Sequence, residues 1–233
     1  MKKQILSLIT QTVLTLALFS AASAATTIDD FRTSTKLNTP HDITEGYISE
    51  DLFHNDAGTN IIAGAGGERS VDIFSGSTDS GGKTTTQILN GVTFGVNLNN
   101  EESTASIGFR YDAGTSFDLL SGGNTTIWMN ILGASGPYKF QVNLWDDNQN
   151  SVVYKEMSGA GLAGISLNSF TGIDLHDIDI IMISLIQTSH SEGNYKIDSI
   201  YLDNVSSVPE PSTFLLLGAG FSGLALIRRR SKK

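Results

Sequence analysis

The chain has 233 residues, no cysteine and a formal net charge of −9. That length suits one ordinary domain with short appendages, and the missing thiols exclude disulfide staples, thiol catalysis and cysteine-ligated zinc. The charge is unevenly placed: residues 25–207 carry 8 Lys and Arg against 23 Asp and Glu, a net of −15, and an acidic surface of that size excludes nucleic acid as a partner because phosphate repels it.

The first 24 residues, MKKQILSLITQTVLTLALFSAASA, follow the grammar of a secretory signal peptide. Lys2 and Lys3 form a positive start, Ile5 to Phe19 is mostly apolar, and Ala22-Ser23-Ala24 is a small-residue cleavage site that would leave Ala25 as the new N-terminus.

From Ala25 to Ser207 the patterning predicts strands. The segment opens TTIDDFRTST, and Leu37 to Gly67 is its least regular part, read as loop with short strands. Val92, Phe94, Val96 and Leu98 then alternate with polar or small residues, as do Ile107, Phe109 and Tyr111, and later Phe140, Val142 and Leu144. Thr125–Leu132, Gly161–Leu167 and Tyr195–Val205 read as further strands, and Ile178–Gln187 is apolar enough to predict a central strand covered on both faces. Clusters of Gly, Ser, Asn and Asp separate these runs at 75–82, 97–103, 121–124, 133–137 and 146–150. With no long 3.6-residue period and no internal repeat, the expected class is all-β, a sandwich or barrel.

Catalytic signatures are absent. No G-x-S-x-G or H-E-x-x-H occurs, and His41, His54, His176 and His190 are scattered. The expectation is therefore a binding protein and not an enzyme. Trp128, Trp145, Tyr138, Tyr154, Tyr195 and Tyr201 would stack on sugar rings if exposed and pack in the core if not. Trp145 with Asp147 and Asn148 is the chosen glycan contact, an aromatic face beside groups that read hydroxyls. The loop Asp146–Asn150 resembles an acidic cation loop but lacks the spacing and glycine of an EF-hand, and a polar hairpin between the strands ending at Trp145 and starting at Val152 explains it more simply.

Three strings in this segment carry a resemblance. Asp29, Asp30 and Phe31 near its start, Asp203 and Asn204 at its close, and SLNSFTGIDLHDIDIIMISL before the last strand make it similar to galactose-binding-like and carbohydrate-binding-module sandwiches. The resemblance implies a jelly-roll-like β-sandwich whose first and last strands are neighbours. It also makes Asp29, Asp30, Asp198 and Asp203 candidate ligands of a structural Ca2+, with solvated acids capping strand ends as the alternative.

The chain ends VPEPSTFLLLGAGFSGLALIRRRSKK. Phe214 to Ile227 would make a helix roughly 21 Å long, short of the ~30 Å hydrocarbon core. Ser212 and Thr213 can extend it, and Arg228 can snorkel. Arg228, Arg229, Arg230, Lys232 and Lys233 should stay cytoplasmic, while Pro209 and Pro211 stop the helix and leave a stiff spacer. Pro209, Glu210, Pro211, the short apolar span and the Arg cluster, in that order, closely resemble the PEP-CTERM sorting signal.

That resemblance implies export, transient anchoring in the inner membrane by a transmembrane helix, handling by exosortase, and delivery to the cell surface or an exopolysaccharide matrix such as a biofilm. The expected organisation is a signal peptide at 1–24, a β-sandwich at 25–207 and a sorting signal at 208–233, with its motif at 209–211, span at 213–227 and basic tail at 228–233. The expected role is non-catalytic binding of extracellular polysaccharide. A hydrolase or lyase acting on that polysaccharide, and a structural matrix protein or adhesin, are the alternatives.

Overall fold

The computed structural model describes residues 25–44, 53–62, 65–76, 83–97, 104–147, 149–188 and 192–203. The expected signal peptide, sorting tail and spanning helix lie outside these residues, as do Asn148 and Asn204.

The described residues form strands β1 (Thr26–Asp29), β2 (His41–Thr44), β3 (Phe53–Ala57), β4 (Glu68–Gly76), β5 (Lys83–Ile88), β6 (Val92–Asn97), β7 (Thr104–Phe117), β8 (Thr126–Ser135), β9 (Pro137–Trp145), β10 (Asn150–Ser158), β11 (Gly161–Ser166), β12 (Ile178–Gln187) and β13 (Gly193–Asp203). They build two antiparallel sheets. One has seven strands in the order β11-β8-β13-β6-β5-β2, with β1 also on β13; the other has six in the order β10-β9-β12-β7-β4-β3. From β6 to β9 each step of the chain crosses from one sheet to the other. The protein is thus the all-β sandwich that the alternation predicts, wound in the manner of a jelly roll.

Period-two alternation sets which side chains meet between the sheets. On β9, Tyr138, Phe140, Val142 and Leu144 are fully buried while Lys139, Gln141, Asn143 and Trp145 face outward and are half-buried. Ile107, Phe109 and Tyr111 of β7 and Ile181, Ile183 and Leu185 of β12 join the same core, as do Ile127, Met129 and Ile131 of β8 in the other sheet. The first and last strands are neighbours, with Thr26 opposite Leu202 and Thr27 opposite Tyr201. β12 is central, between β9 and β7, but it departs from the expected cover on both faces: Ile180, Met182 and Ile186 point outward and stay partly exposed.

One buried charged cluster ties the sheets together. Asp29 of β1 accepts hydrogen bonds from Arg69 Nη1 at 2.9 Å, the Tyr111 hydroxyl at 3.0 Å and the Phe31 amide at 2.8 Å. Arg69 Nη2 donates to Asp56 at 3.1 Å and to the Thr33 carbonyl at 2.9 Å. Asp56 also accepts from the Ser34 hydroxyl at 2.7 Å and the Thr35 amide at 2.8 Å. The residues of this cluster come from β1 in one sheet and from β3, β4 and β7 in the other. Phe31 sits at φ 49°, folding its ring under the guanidinium, whose carbon is 5.5 Å from the ring centroid. Gly58 is needed here because a Cβ would stand 2.7 Å from the Thr33 carbonyl and 2.8 Å from Arg69 Nη1. Burial pushes the Asp29 carboxyl up to about 6, against the lowering pull of Arg69, the Phe31 amide and Tyr111. Burial and the Asp29 charge push the Tyr111 hydroxyl up as well, so it remains a donor.

Candidate functional site

The outward alternation of the six-stranded sheet lays its side chains in rows across the strands. One row runs Asn150, Trp145, Ile180, Asp112. The next runs Val152, Asn143, Met182, Arg110, Ser70, and the third Tyr154, Gln141, Ser184, Gly108, Asp72. A fourth places Glu156, Lys139, Ile186, Ser106 and Phe74 side by side. Residues opposite one another in such rows are about 5 Å apart, so an aromatic edge, two amides, an arginine and a carboxylate share one surface.

Gly108 lowers the middle of this surface. A Cβ there would meet the Met182 methyl at 2.9 Å and the Ser184 hydroxyl at 3.2 Å. Arg110 is held by Asp112 at 3.0 Å and borders a cavity of about 260 Å³ between β3, β4 and β7, where Asn55, Glu68 and Ser70 also line the wall. At the far edge Tyr154 is 58% exposed, with the Lys139 ammonium 4.9 Å from its ring centroid. Lys139 also approaches Glu156 at 3.9 Å. Indole and phenol faces receive the apolar C–H side of a pyranose, while amide, carboxylate and guanidinium groups bond its hydroxyls.

Of the residues chosen from sequence, Trp145 lies on this face, half-buried, and Asp147 is exposed in the turn that follows it; Asn148 is outside the described residues. Asp146 pins that turn by accepting from the Gln149 amide at 2.8 Å and the Asp174 amide at 3.1 Å. Nearby, loss of hydration and then the hydrogen-bonded Asp147 carboxylate raise the Asp179 carboxyl above its usual range, with smaller pushes from Asp177 and Asp146. His176 and Asp118 meet at 3.0 Å on the exposed surface.

The four candidate calcium ligands are distributed differently from one another. Asp29 is buried against Arg69, so its carboxylate already faces a cation. Asp30 accepts from the Arg32 amide at 3.1 Å and bonds Asn60. Asp30 and Asp198 both approach the Arg32 guanidinium, at 3.9 and 3.8 Å. Asp203 ends β13, where its carbonyl accepts from the Thr125 amide at 3.1 Å. Among the described residues no group of three or more His, Cys, Asp or Glu is arranged to hold a metal ion.

The six aromatics divide cleanly. Tyr138 and Tyr195 are core residues, with ring centroids 5.6 Å apart edge to face. Trp145 and Tyr154 lie on the outer face of the six-stranded sheet, Trp128 and Tyr201 on that of the seven-stranded one. The sequence reading missed Gln141, Asn143, Arg110 and Asp72 as members of a surface. Alternation along β9 and β7 already turned the first three outward, but only the strand order brings them side by side.

No curated protein matches the chain. Among solved structures, the family 11 carbohydrate-binding module from Clostridium thermocellum, in complex with a β-1,3-1,4-mixed-linked tetrasaccharide, is 14% identical, covers 79% of this chain and 98% of that one, and has a TM-score of 0.41. An exo-β-agarase is 10% identical over 79% of this chain and 26% of its own, with a TM-score of 0.41. The enzymatically active domain of tailspike protein 4 of bacteriophage CBA120 is 9% identical over 78% of this chain and 21% of its own, with a TM-score of 0.34. Among the described residues no helix is long and apolar enough to cross a membrane. At the C-terminal end, residues 207–230 match the PEP-CTERM protein-sorting motif, and the chain therefore carries the sorting signal that its prolines, short apolar span and arginines imply.

Proposed function

We propose that this is an exported, non-catalytic glycan-binding protein, handed by exosortase to the cell surface or exopolysaccharide matrix, and that the outer face of the six-stranded sheet is its sugar-binding surface. The observation that carries the reading is the set of registered rows, which put Trp145, Asn143, Gln141, Arg110 and Asp72 on one continuous face. The sorting motif at 207–230 supports the destination. Trp145 and Tyr154 supply stacking surfaces, Asn143 and Gln141 bond hydroxyls, and Arg110, fixed by Asp112, bonds a ring or hydroxyl oxygen.

The test is retention of the exported protein, purified from its producing cells, on their exopolysaccharide. Trp145→Ala is expected to weaken retention at least tenfold at an unchanged melting midpoint. Equal retention by the variant would remove this surface from the reading.

A second reading is a polysaccharide hydrolase or lyase, for which the hydrogen-bonded Asp147 and Asp179 carboxyls are the paired acids. Release of reducing ends from the same polysaccharide, abolished by Asp179→Asn, would replace binding with catalysis.

A further inference from the structure

The opposite face of the sandwich has an aromatic site of its own. On β8, Ile127, Met129 and Ile131 are buried, so Trp128 and Asn130 turn outward. In the seven-stranded sheet the row through Trp128 runs Gly164, Trp128, Tyr201, Thr27 across four strands, and no member of it is charged. Gly164 is the residue that shapes it. A Cβ there would fall 2.4–2.8 Å from three atoms of the six-membered ring of Trp128. The indole therefore lies flat over the β11 backbone where a side chain would otherwise stand, with Tyr201 beside it on β13.

The next row supplies polar groups. Asn130, two residues along β8, pairs with Ser199 of β13. The β13 strand bulges there, and Asp198 Oδ2 accepts from Asn130 Nδ2 at 3.1 Å and from the Ser199 hydroxyl at 3.2 Å. Successive outward residues on a strand are about 7 Å apart, roughly the width of one pyranose. Two half-buried aromatics with an amide and a carboxylate one sugar ring away make a small, built contact site.

We infer that Trp128, Tyr201, Asn130 and Asp198 form a second glycan site, for an uncharged pyranose stacked on the indole, and that the protein is bivalent. This rests on the glycan reading above but uses none of its residues. The two sheets face each other across one core, so the two sites point away from each other and reach different polysaccharide chains. A protein so arranged cross-links the polymer as well as binding it. An aromatic laid over a glycine also covers backbone, so the experiment reads ligand contact and not stability.

The chain has two tryptophans, one per site, which allows each to be watched alone. In the exported protein with Trp145→Phe, emission comes from Trp128; in Trp128→Phe it comes from Trp145. Oligosaccharides of four to six sugars, made by partial hydrolysis of the producing cells' exopolysaccharide, are titrated into each. Both emissions are expected to shift saturably, and Tyr201→Thr is expected to weaken the Trp128 response at least fivefold while leaving that of Trp145 unchanged. With intact polysaccharide, wild type is expected to produce turbid cross-linked complexes and either single-tryptophan variant none. A flat Trp128 signal at concentrations that saturate Trp145 would overturn the second site and leave the first standing. Flat signals from both, with no retention of wild type on the polysaccharide, would overturn the glycan reading and this inference together.

Discussion

The buried cluster around Arg69 and the outer face around Arg110 are built from the same kinds of residue, on the same pair of strands, one layer apart. Arg69 and Tyr111 turn inward from β4 and β7; Ser70 and Arg110 turn outward from them. Inside, Arg69 is bonded through both terminal nitrogens to carboxylates that are themselves fully buried. Outside, Arg110 bonds one partly exposed carboxylate, Asp112. An ion pair cut off from water is strongly destabilised when one member is lost, because the other is left charged and dry, whereas an exposed pair contributes little and leaves its groups available to a ligand. The difference separates charges that hold the two sheets together from charges that the proposed glycan surface would use.

The largest effect should come from Arg69→Met, which strands Asp29 and Asp56. We expect a loss of about 3–5 kcal/mol in denaturant unfolding; a loss below 1 kcal/mol would dissolve the contrast between the two regions. Next is the pH response of Asp29. Its carboxyl is raised from 3.8 to about 6 in the folded protein, so between those values the folded state holds a proton that the unfolded state has released. The stabilisation from this group is present below pH ~4 and is lost as pH rises to about 6, by up to about 3 kcal/mol. The difference between wild type and Asp29→Asn, measured across that window, isolates it from the other acids. A difference that stays constant from pH 4 to 7 would contradict the shift.

Gly58→Ala tests the packing around the cluster while leaving every charged side chain in place, its Cβ pressing on the Arg69 guanidinium at 2.8 Å. With its Cβ 2.7 Å from the Thr33 carbonyl, it should cost about 1–3 kcal/mol. On the outer face the stability effects should be small. Arg110→Ala is expected to change unfolding by less than about 1 kcal/mol yet to weaken polysaccharide retention several-fold. A variant that unfolded easily and bound normally would reverse the roles assigned to the two arginines.

The same two layers explain what could be read from sequence. The strands with unbroken alternation, β6, β7 and β9, were legible because each turns a clean apolar set inward. β4 and β5 were not, because their inward positions mix polar residues with apolar ones: Arg69 and Ser75 with Val71 and Ile73 on one, Thr84 and Thr86 with Ile88 on the other, all buried. A buried arginine looks like a surface residue until its partners are known, and the carboxylates it bonds, Asp29 and Asp56, lie 40 and 13 residues away. The DDF string marked Asp29 as a candidate ligand of a structural Ca2+. No local pattern says that its carboxylate faces Arg69. At the proposed binding face, Trp145 could be singled out for its chemistry, but Asn143, Gln141 and Arg110 share a surface only because β12 lies between β9 and β7 and pairs with both.

The central claim is that sugar sits on the outer face of the six-stranded sheet against Trp145. It is tested most directly by the Trp128→Phe protein, whose emission comes from Trp145 alone, titrated with oligosaccharides from the producing cells' exopolysaccharide. The account predicts a saturable shift that Asn143→Ala weakens by on the order of 30-fold, about 2 kcal/mol. Emission that does not change, in protein that the intact polysaccharide still retains, would contradict it.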